Sequence, residues 1–402
     1  MAVGIHNVDF SAVPGVRLAA VASGIKKNDS NDLVLFEFAE GSATAGVFTR
    51  SLFAAAPVTV GKRHLASSPA RYFLINSGNA NAGVGDLGIA DAENCCKALS
   101  ELTGVAAEAV IPFSTGVIGE RLPVEKIRSA LPGVISALSE ANWLVAAEGI
   151  MTTDTRPKIA SRIFRLGSRD VTITGIAKGS GMIQPNMATM LCYIATDVSC
   201  AQSQLQALLT QAVGKSFNRI TIDSDTSTND SCMLTATGVS GADISSGGES
   251  ADVFARILDD LCLELAQSIV RDGEGATKFV EVRVEHGATQ AECLAIAYAI
   301  ANSPLMKTAL YASDANWGRI VMAIGKAPVT IDVNKLDVYL GDVQLMQAGQ
   351  KHPRYSENQG AAVMAQETIR IVVDLNAGEF SESVWTSDLS HEYVTINAEY
   401  RT

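Results

Sequence analysis

The chain has 402 residues, 47% of them hydrophobic and 18% charged, with a formal net charge of −12. That length exceeds what one core usually organises and the composition is globular, which excludes a disordered chain and predicts two domains or one large α/β unit with a subsidiary lobe. The charge is spread along the sequence and the basic residues form no long run, so nucleic acid is not an expected partner.

With aromatic residues at only 6%, Val, Ile, Leu and Ala are expected to fill the interior. The first ten residues, Met1 to Phe10, lack a basic stretch followed by an apolar one, and no segment reaches membrane-spanning length. Seven cysteines (Cys95, Cys96, Cys192, Cys200, Cys232, Cys262, Cys293) lack C-x-x-C spacing and read as buried free thiols, which fits a reducing cytoplasm. The sequons Asn28-Asp-Ser30 and Asn229-Asp-Ser231 are then chance matches.

Along the chain, Asn76-Ser-Gly-Asn-Ala-Asn-Ala-Gly83 reads as a cluster of turn residues without an assigned role. In Ile111-Pro-Phe-Ser-Thr-Gly-Val-Ile-Gly-Glu120, Thr115 and Gly116 fall in a small-residue turn. There a hydroxyl and a backbone N–H can converge on a developing oxyanion, although such turns are more often structural. Pro123 opens a helix running through Ile127 and Leu131. The stretch from Lys178 to Ala195 is a glycine-rich bend entering an apolar β-type segment that begins at Thr189. By spacing alone, Thr189 is an ordinary β-branched residue at the start of a buried strand.

Leu205, Leu208, Leu209, Ala212, Val213 and Phe217 recur at helical spacing after Ser199. A second helix is predicted over 252–270, with Phe254, Ile257, Leu258, Leu261 and Leu265 on its apolar side and Gly273 beyond it as a stop. A change of lobe is expected near Arg271-Asp-Gly-Glu-Gly275. Phe279 to His286 alternates as a strand, Tyr339 to Leu345 reads as a hairpin around Gly341-Asp342, and Ile369 to Leu375 as a shorter, more buried strand.

Several chemistries fall away on spacing. Gly214-Lys215-Ser216 resembles the end of a phosphate-binding loop, but Leu209 stands where its first glycine is required and the pattern is helical. The histidines (His6, His64, His286, His352, His391) lack metal-ligand spacing, and neither H-E-x-x-H nor G-x-S-x-G occurs, so no metal or cofactor is expected. A threonine hydroxyl needs a base. An N-terminal threonine supplies its own α-amine, which titrates at about 7.7 to 8 and is useful near neutral pH.

Six segments together resemble the ornithine acetyltransferase (glutamate N-acetyltransferase) family of arginine biosynthesis. They are Pro14 to Lys26, Ser114 to Gly119, Met151-Thr-Thr-Asp-Thr-Arg-Pro-Lys158, Lys178 to Leu191, Asp314-Ala-Asn-Trp-Gly-Arg319 and Ile396-Asn-Ala-Glu-Tyr-Arg-Thr402. The resemblance implies autocatalytic cleavage between Ala188 and Thr189, giving an α chain of residues 1–188 and a β chain of residues 189–402. Thr189 would then be nucleophile and α-amine base in a ping-pong transfer of acetyl from N-acetylornithine to glutamate.

The same resemblance implies that Thr115 and Gly116 form the oxyanion hole and that Thr152, Lys178, Thr189, Glu274, Asn397 and Thr402 contact substrate. Lys178 is expected to meet the α-carboxylate, and Glu274 or the carboxylate of Thr402 the ornithine ammonium. The implied fold is an α/β, N-terminal-nucleophile-like sandwich of αββα layers over about 1–275. A smaller second lobe follows over about 276–402, its tail returns to the site, and the assembly holds two α and two β chains. Acetyl-CoA as a second donor stays open on these motifs. An N-terminal-nucleophile amidase or aminopeptidase, passing the acyl group to water, is the nearest alternative; an intact binding protein with a buried Thr189 is a more distant one.

Overall fold

The computed structural model describes residues 2–4, 8–184 and 190–399. Among them the strands form three sheets. The first is four-stranded in the order Val16–Val21, Leu33–Phe38, Tyr72–Asn79, Val110–Val117. The second is five-stranded: Ala43–Phe48, Ser231–Ala236, Leu191–Thr196, Arg169–Lys178, Lys158–Leu166.

Alternation along single strands shows how these sheets are layered. In Leu33–Phe38, Val34, Phe36 and Phe38 enter one core cluster, while Leu33 and Leu35 enter another with Leu99, Ile127 and Leu131 of the helices Asp86–Thr103 and Val124–Ser136. In Leu191–Thr196, Leu191, Tyr193 and Ala195 share the cluster of Val34 and Phe36. Cys192 and Ile194 instead meet Leu209 and Leu261 of the helices Gln202–Lys215 and Glu249–Arg271. Both sheets are therefore buried on both faces, and the layers run helix, sheet, sheet, helix. This is the layered α/β core implied by the resemblance.

The space between the two sheets departs from the aliphatic interior expected. Phe36, Phe38, Phe73, Phe113, Trp143 and Tyr193 pack together there, with Phe113 edge-on to Phe73 and Tyr193 at centroid distances of 5.3 and 5.0 Å. The few aromatics are concentrated where two flat surfaces meet and large rings fill the gap.

A seven-stranded sheet carries a separate core, from Val280 to Val384. Its central strand, Thr368–Asp374, pairs with Phe279–Gly287, which pairs in turn with Phe380–Ser387, and the short strand Ile220–Thr221 closes the edge against Phe380–Ser387. The hairpin turn lies at Gly341-Asp342, with Gly341 at φ +56°. The strand over 368–374 buries Ile369, Ile371 and Val373 as expected, while Thr368 and Arg370 are exposed and Arg370 pairs with Glu281 on the neighbouring strand. Helix Gln202–Lys215 stops before Phe217, which is buried in a following 3₁₀ turn. All seven cysteines are buried free thiols. Among the described residues no single helix is long and apolar enough to cross a membrane; the bent pair Gln290–Ala301 and Pro304–Tyr311 passes by composition, and Cys293, Ile296, Ile300, Met306 and Leu310 of that pair lie in the second core.

Candidate active site

The strands Tyr72–Asn79 and Val110–Val117 run parallel, and where their ends meet the register slips, so that Asn79 faces both Thr115 and Val117. Thr115 and Gly116 therefore sit at a strand bulge and not in the free turn expected of them. Gly116 has φ +132°, and a Cβ there would lie 2.3 Å from the Gly78 carbonyl carbon and 2.5 Å from the Asn79 nitrogen. Only glycine fits this close approach.

Asparagines that the sequence left unassigned hold the bulge. Asn76 Nδ2 donates to the Asn79 carbonyl (2.8 Å), and Ser114 Oγ donates to Asn76 Oδ1 (2.6 Å). Asn229 Nδ2 donates to the carbonyls of Ala80 (2.6 Å) and Ser114 (2.9 Å). Asn229 is thus a buried strut and cannot serve as the acceptor its sequon suggests. The signal available in the sequence was three asparagines within Asn76 to Gly83. Their carbonyl partners are distant in sequence or specific to the bulge, and no local pattern announces them.

Thr115, Gly116, Thr152, Lys178, Glu274 and Asn397 all line one cavity of about 130 Å³, together with Met190, Asn229 and the buried Asp230. Six of the residues expected at the site thus converge from five separate stretches of chain. Ala188, Thr189 and Thr402 lie outside the described residues.

Lys178 ends the strand Arg169–Lys178 with its ammonium buried, donating to Thr152 Oγ1 (2.8 Å) and Thr115 Oγ1 (3.3 Å). Burial pushes this lysine below its ordinary range, an effect partly offset by the Asp154 carboxylate and, more weakly, by Asp230 and Glu274. Glu274 Oε2 accepts from Asn397 Nδ2 (2.7 Å), which ties the site to the C-terminal helix His391–Ala398. Its carboxylate lies so close to the bend that a Cβ on Gly181 would come within 2.4 Å of Oε2.

The motif Met151 to Lys158 builds a charged staple beneath the cavity. Asp154 accepts from the N–H groups of Thr152 (3.0 Å) and Gly179 (2.7 Å) and from Lys158 Nζ (2.6 Å). Lys158 also donates to Asp272 (2.7 Å), which in turn accepts from the backbone and hydroxyl of Thr155. Burial alone would raise the Asp154 carboxyl; the charges of Lys158 and Lys178, with the hydrogen bonds, hold it well below the usual carboxylate range. Neither Asp154 nor Asp272 was singled out from the sequence; the partners of Asp272 lie more than 100 residues away, and the burial that makes the Asp154–Lys158 pair matter leaves no local trace. Glu285, His286 and Asp374 have the mutual proximity of metal ligands, but they sit on the seven-stranded sheet and not at this cavity.

The model of the ArgJ family matches residues 17–402. The arginine biosynthesis bifunctional protein ArgJ of Pseudomonas syringae pv. tomato is 54% identical over 408 residues, covering 100% of both chains. The protein of the same description from Methylococcus capsulatus is 49% identical over 400 residues, covering 99% of this chain and 98% of its own. A crystal structure described as arginine biosynthesis bifunctional protein ArgJ from Bacillus halodurans is 35% identical, with a TM-score of 0.48 over 50% of this chain and 95% of that one.

Proposed function

The chain belongs to the ArgJ family, and on that premise we propose that it is a glutamate N-acetyltransferase of arginine biosynthesis, moving acetyl from N2-acetyl-L-ornithine to L-glutamate. The observation that carries the reading at this site is the convergence of Thr115, Gly116, Thr152, Lys178, Glu274 and Asn397 on one cavity that Met190, the residue after Thr189, also lines.

In the proposed reaction the chain first cleaves itself. Thr189 Oγ attacks the Ala188 carbonyl, the peptide becomes an ester, and water hydrolyses the ester to free an α chain of residues 1–188 and a β chain of residues 189–402. The α-amine of Thr189 then takes the proton of its own hydroxyl as Oγ attacks the acetyl carbonyl of N-acetylornithine. The amide C–N bond breaks, ornithine leaves with the proton, and the acetyl group remains as an ester on Thr189. The glutamate amine attacks that ester, giving N-acetylglutamate and restoring the hydroxyl.

Thr115 and the Gly116 N–H are the proposed oxyanion donors. Lys178 supports this role, because a Thr115 oxygen that accepts from an ammonium has its own O–H available for the oxyanion. Thr115→Val is accordingly expected to lower kcat about 10²- to 10³-fold with KM little changed, measurable by steady-state kinetics with N-acetylornithine. In the same reading Lys178 meets the α-carboxylate that both substrates carry, Thr152 borders it, and Glu274 with Asn397 and the carboxylate of Thr402 faces the ornithine ammonium. The cycle needs no cofactor; acetyl-CoA serves as a second acetyl donor, the two cleaved chains assemble as α₂β₂, and the enzyme works in the cytoplasm.

The test is the denatured intact mass of fresh protein, alone and after brief exposure to N-acetylornithine. Two fragments meeting at Ala188/Thr189, with one acetyl added to the fragment that begins at Thr189, is the expected result. An intact chain that takes up no acetyl removes the reading.

A further inference from the structure

Asp223 has no part in the reaction described above, yet its carboxylate is shared by two elements that border the site. From the glycine-rich bend, Met182 N–H donates to Oδ2 (2.6 Å) and Ile183 N–H to Oδ1 (2.8 Å). From the C-terminal helix, the Tyr393 hydroxyl donates to Oδ2 (3.2 Å), and Asp225 N–H adds a longer bond to Oδ1 (3.3 Å).

Met182 has φ +56°, a left-handed conformation that a residue with a side chain adopts only when its surroundings hold it there. Successive N–H groups about such a residue form a concave seat for an anion, and Asp223 fills it. The seat is braced on both sides: Ile222 N–H donates to the Ile183 carbonyl (2.7 Å), and Gln184 N–H to the Asp225 carbonyl (2.8 Å). Gln184, where the braced segment ends, stands four residues before Ala188.

The helix His391–Ala398 has no fully buried residue, so polar contacts dominate its docking. These are Ser390 Oγ to the Gly275 carbonyl (2.7 Å), Asn397 to Glu274 (2.7 Å) and Tyr393 to Asp223. Tyr393 lies one turn before Asn397 on the same helix face.

We infer that Asp223 is a positioning residue that couples the bend leading to the scissile bond with the C-terminal helix carrying Asn397. One carboxylate thereby sets the geometry of self-cleavage and the amino-acid-binding edge of the cavity. The inference rests on the proposed cleavage at Ala188/Thr189.

Asp223→Asn and Tyr393→Phe separate the two arms. Asparagine keeps the size but turns one acceptor oxygen into an NH₂ group, and either orientation of the amide sets that group against N–H donors of the bend. The appearance of the two fragments in Asp223→Asn is expected to slow about tenfold or more, the equivalent of one charge-assisted hydrogen bond. Tyr393→Phe leaves the bend untouched; it is expected to cleave at the normal rate and to raise KM for N-acetylornithine about 3- to 10-fold while kcat holds.

Cleavage of Asp223→Asn at the wild-type rate overturns the coupling to the bend. An unchanged KM in Tyr393→Phe overturns the coupling to the helix and with it the shared role of the carboxylate, whether or not Asp223→Asn folds. A wild-type chain that never cleaves would remove the proposed function itself, which is distinguishable from either variant result.

Discussion

On the proposed mechanism, Thr189→Ala is expected to leave the chain in one piece at Ala188/Thr189 and to lower acetyl transfer by about 10⁴-fold or more, the scale seen when a covalent nucleophile is removed. Both losses follow from one missing atom. Without Oγ there is no acceptor for the acyl shift that begins cleavage, and no oxygen on which an acetyl ester can form. The uncleaved variant also keeps residue 189 in a peptide bond, so the α-amine base is never released. Thr189→Ser restores a hydroxyl in place and is expected to recover cleavage and part of the transfer. Intact mass reports the first effect and ornithine release the second. Normal cleavage in Thr189→Ala would sink the assignment of Thr189 as the attacking group.

Lys158→Met is expected to cost about 3–5 kcal/mol of stability, because it strips the cation from buried carboxylates instead of removing the whole cluster. Lys158 is 1% exposed and bonds both Asp154 (2.6 Å) and Asp272 (2.7 Å). Lys178 cannot replace it: its ammonium stands 4.0 Å from Asp154 and is engaged with Thr115 and Thr152.

The pH dependence identifies the cause. In the wild type the Asp154 carboxyl is held below its unfolded value, so its stabilising contribution is present above about pH 4 and is lost as pH falls toward the folded value. In the variant a buried carboxylate without its cation is penalised at neutral pH and relieved by protonation. The stability gap between the two proteins, read from urea midpoints, therefore narrows from neutral pH toward about pH 4. A gap that stays constant over that range would mean lost packing and not lost charge pairing. Because Asp154 also holds Thr152 and Gly179, the variant that survives folding is expected to bind N-acetylornithine more weakly.

The helices were the readable part of the fold. Phe254, Leu258, Leu261 and Leu265 recur every three or four residues because Glu249–Arg271 buries one face and leaves the other in water, and that one-sidedness is what periodicity records. The hairpin at Gly341-Asp342 was legible for a comparable reason, since its turn demands a residue type. Strands such as Leu33–Phe38 and Leu191–Thr196 carried no alternation, because both of their faces are buried. Their order, their pairing and the aromatic layer between them left no local trace.

For the site, the sequence by itself determined the motifs that carry the family resemblance, and that resemblance names the candidate residues: Thr115 and Gly116, Thr152, Lys178, Thr189, Glu274, Asn397 and Thr402. Only the tertiary structure decided that six of these border one cavity, that Gly116 occupies a strand bulge where no other residue fits, and that Asn76, Asn229, Asp154 and Lys158 hold the rest in place. A motif is a local string, whereas several of these supports are hydrogen bonds between groups as far as 149 residues apart, formed only once the chain has folded.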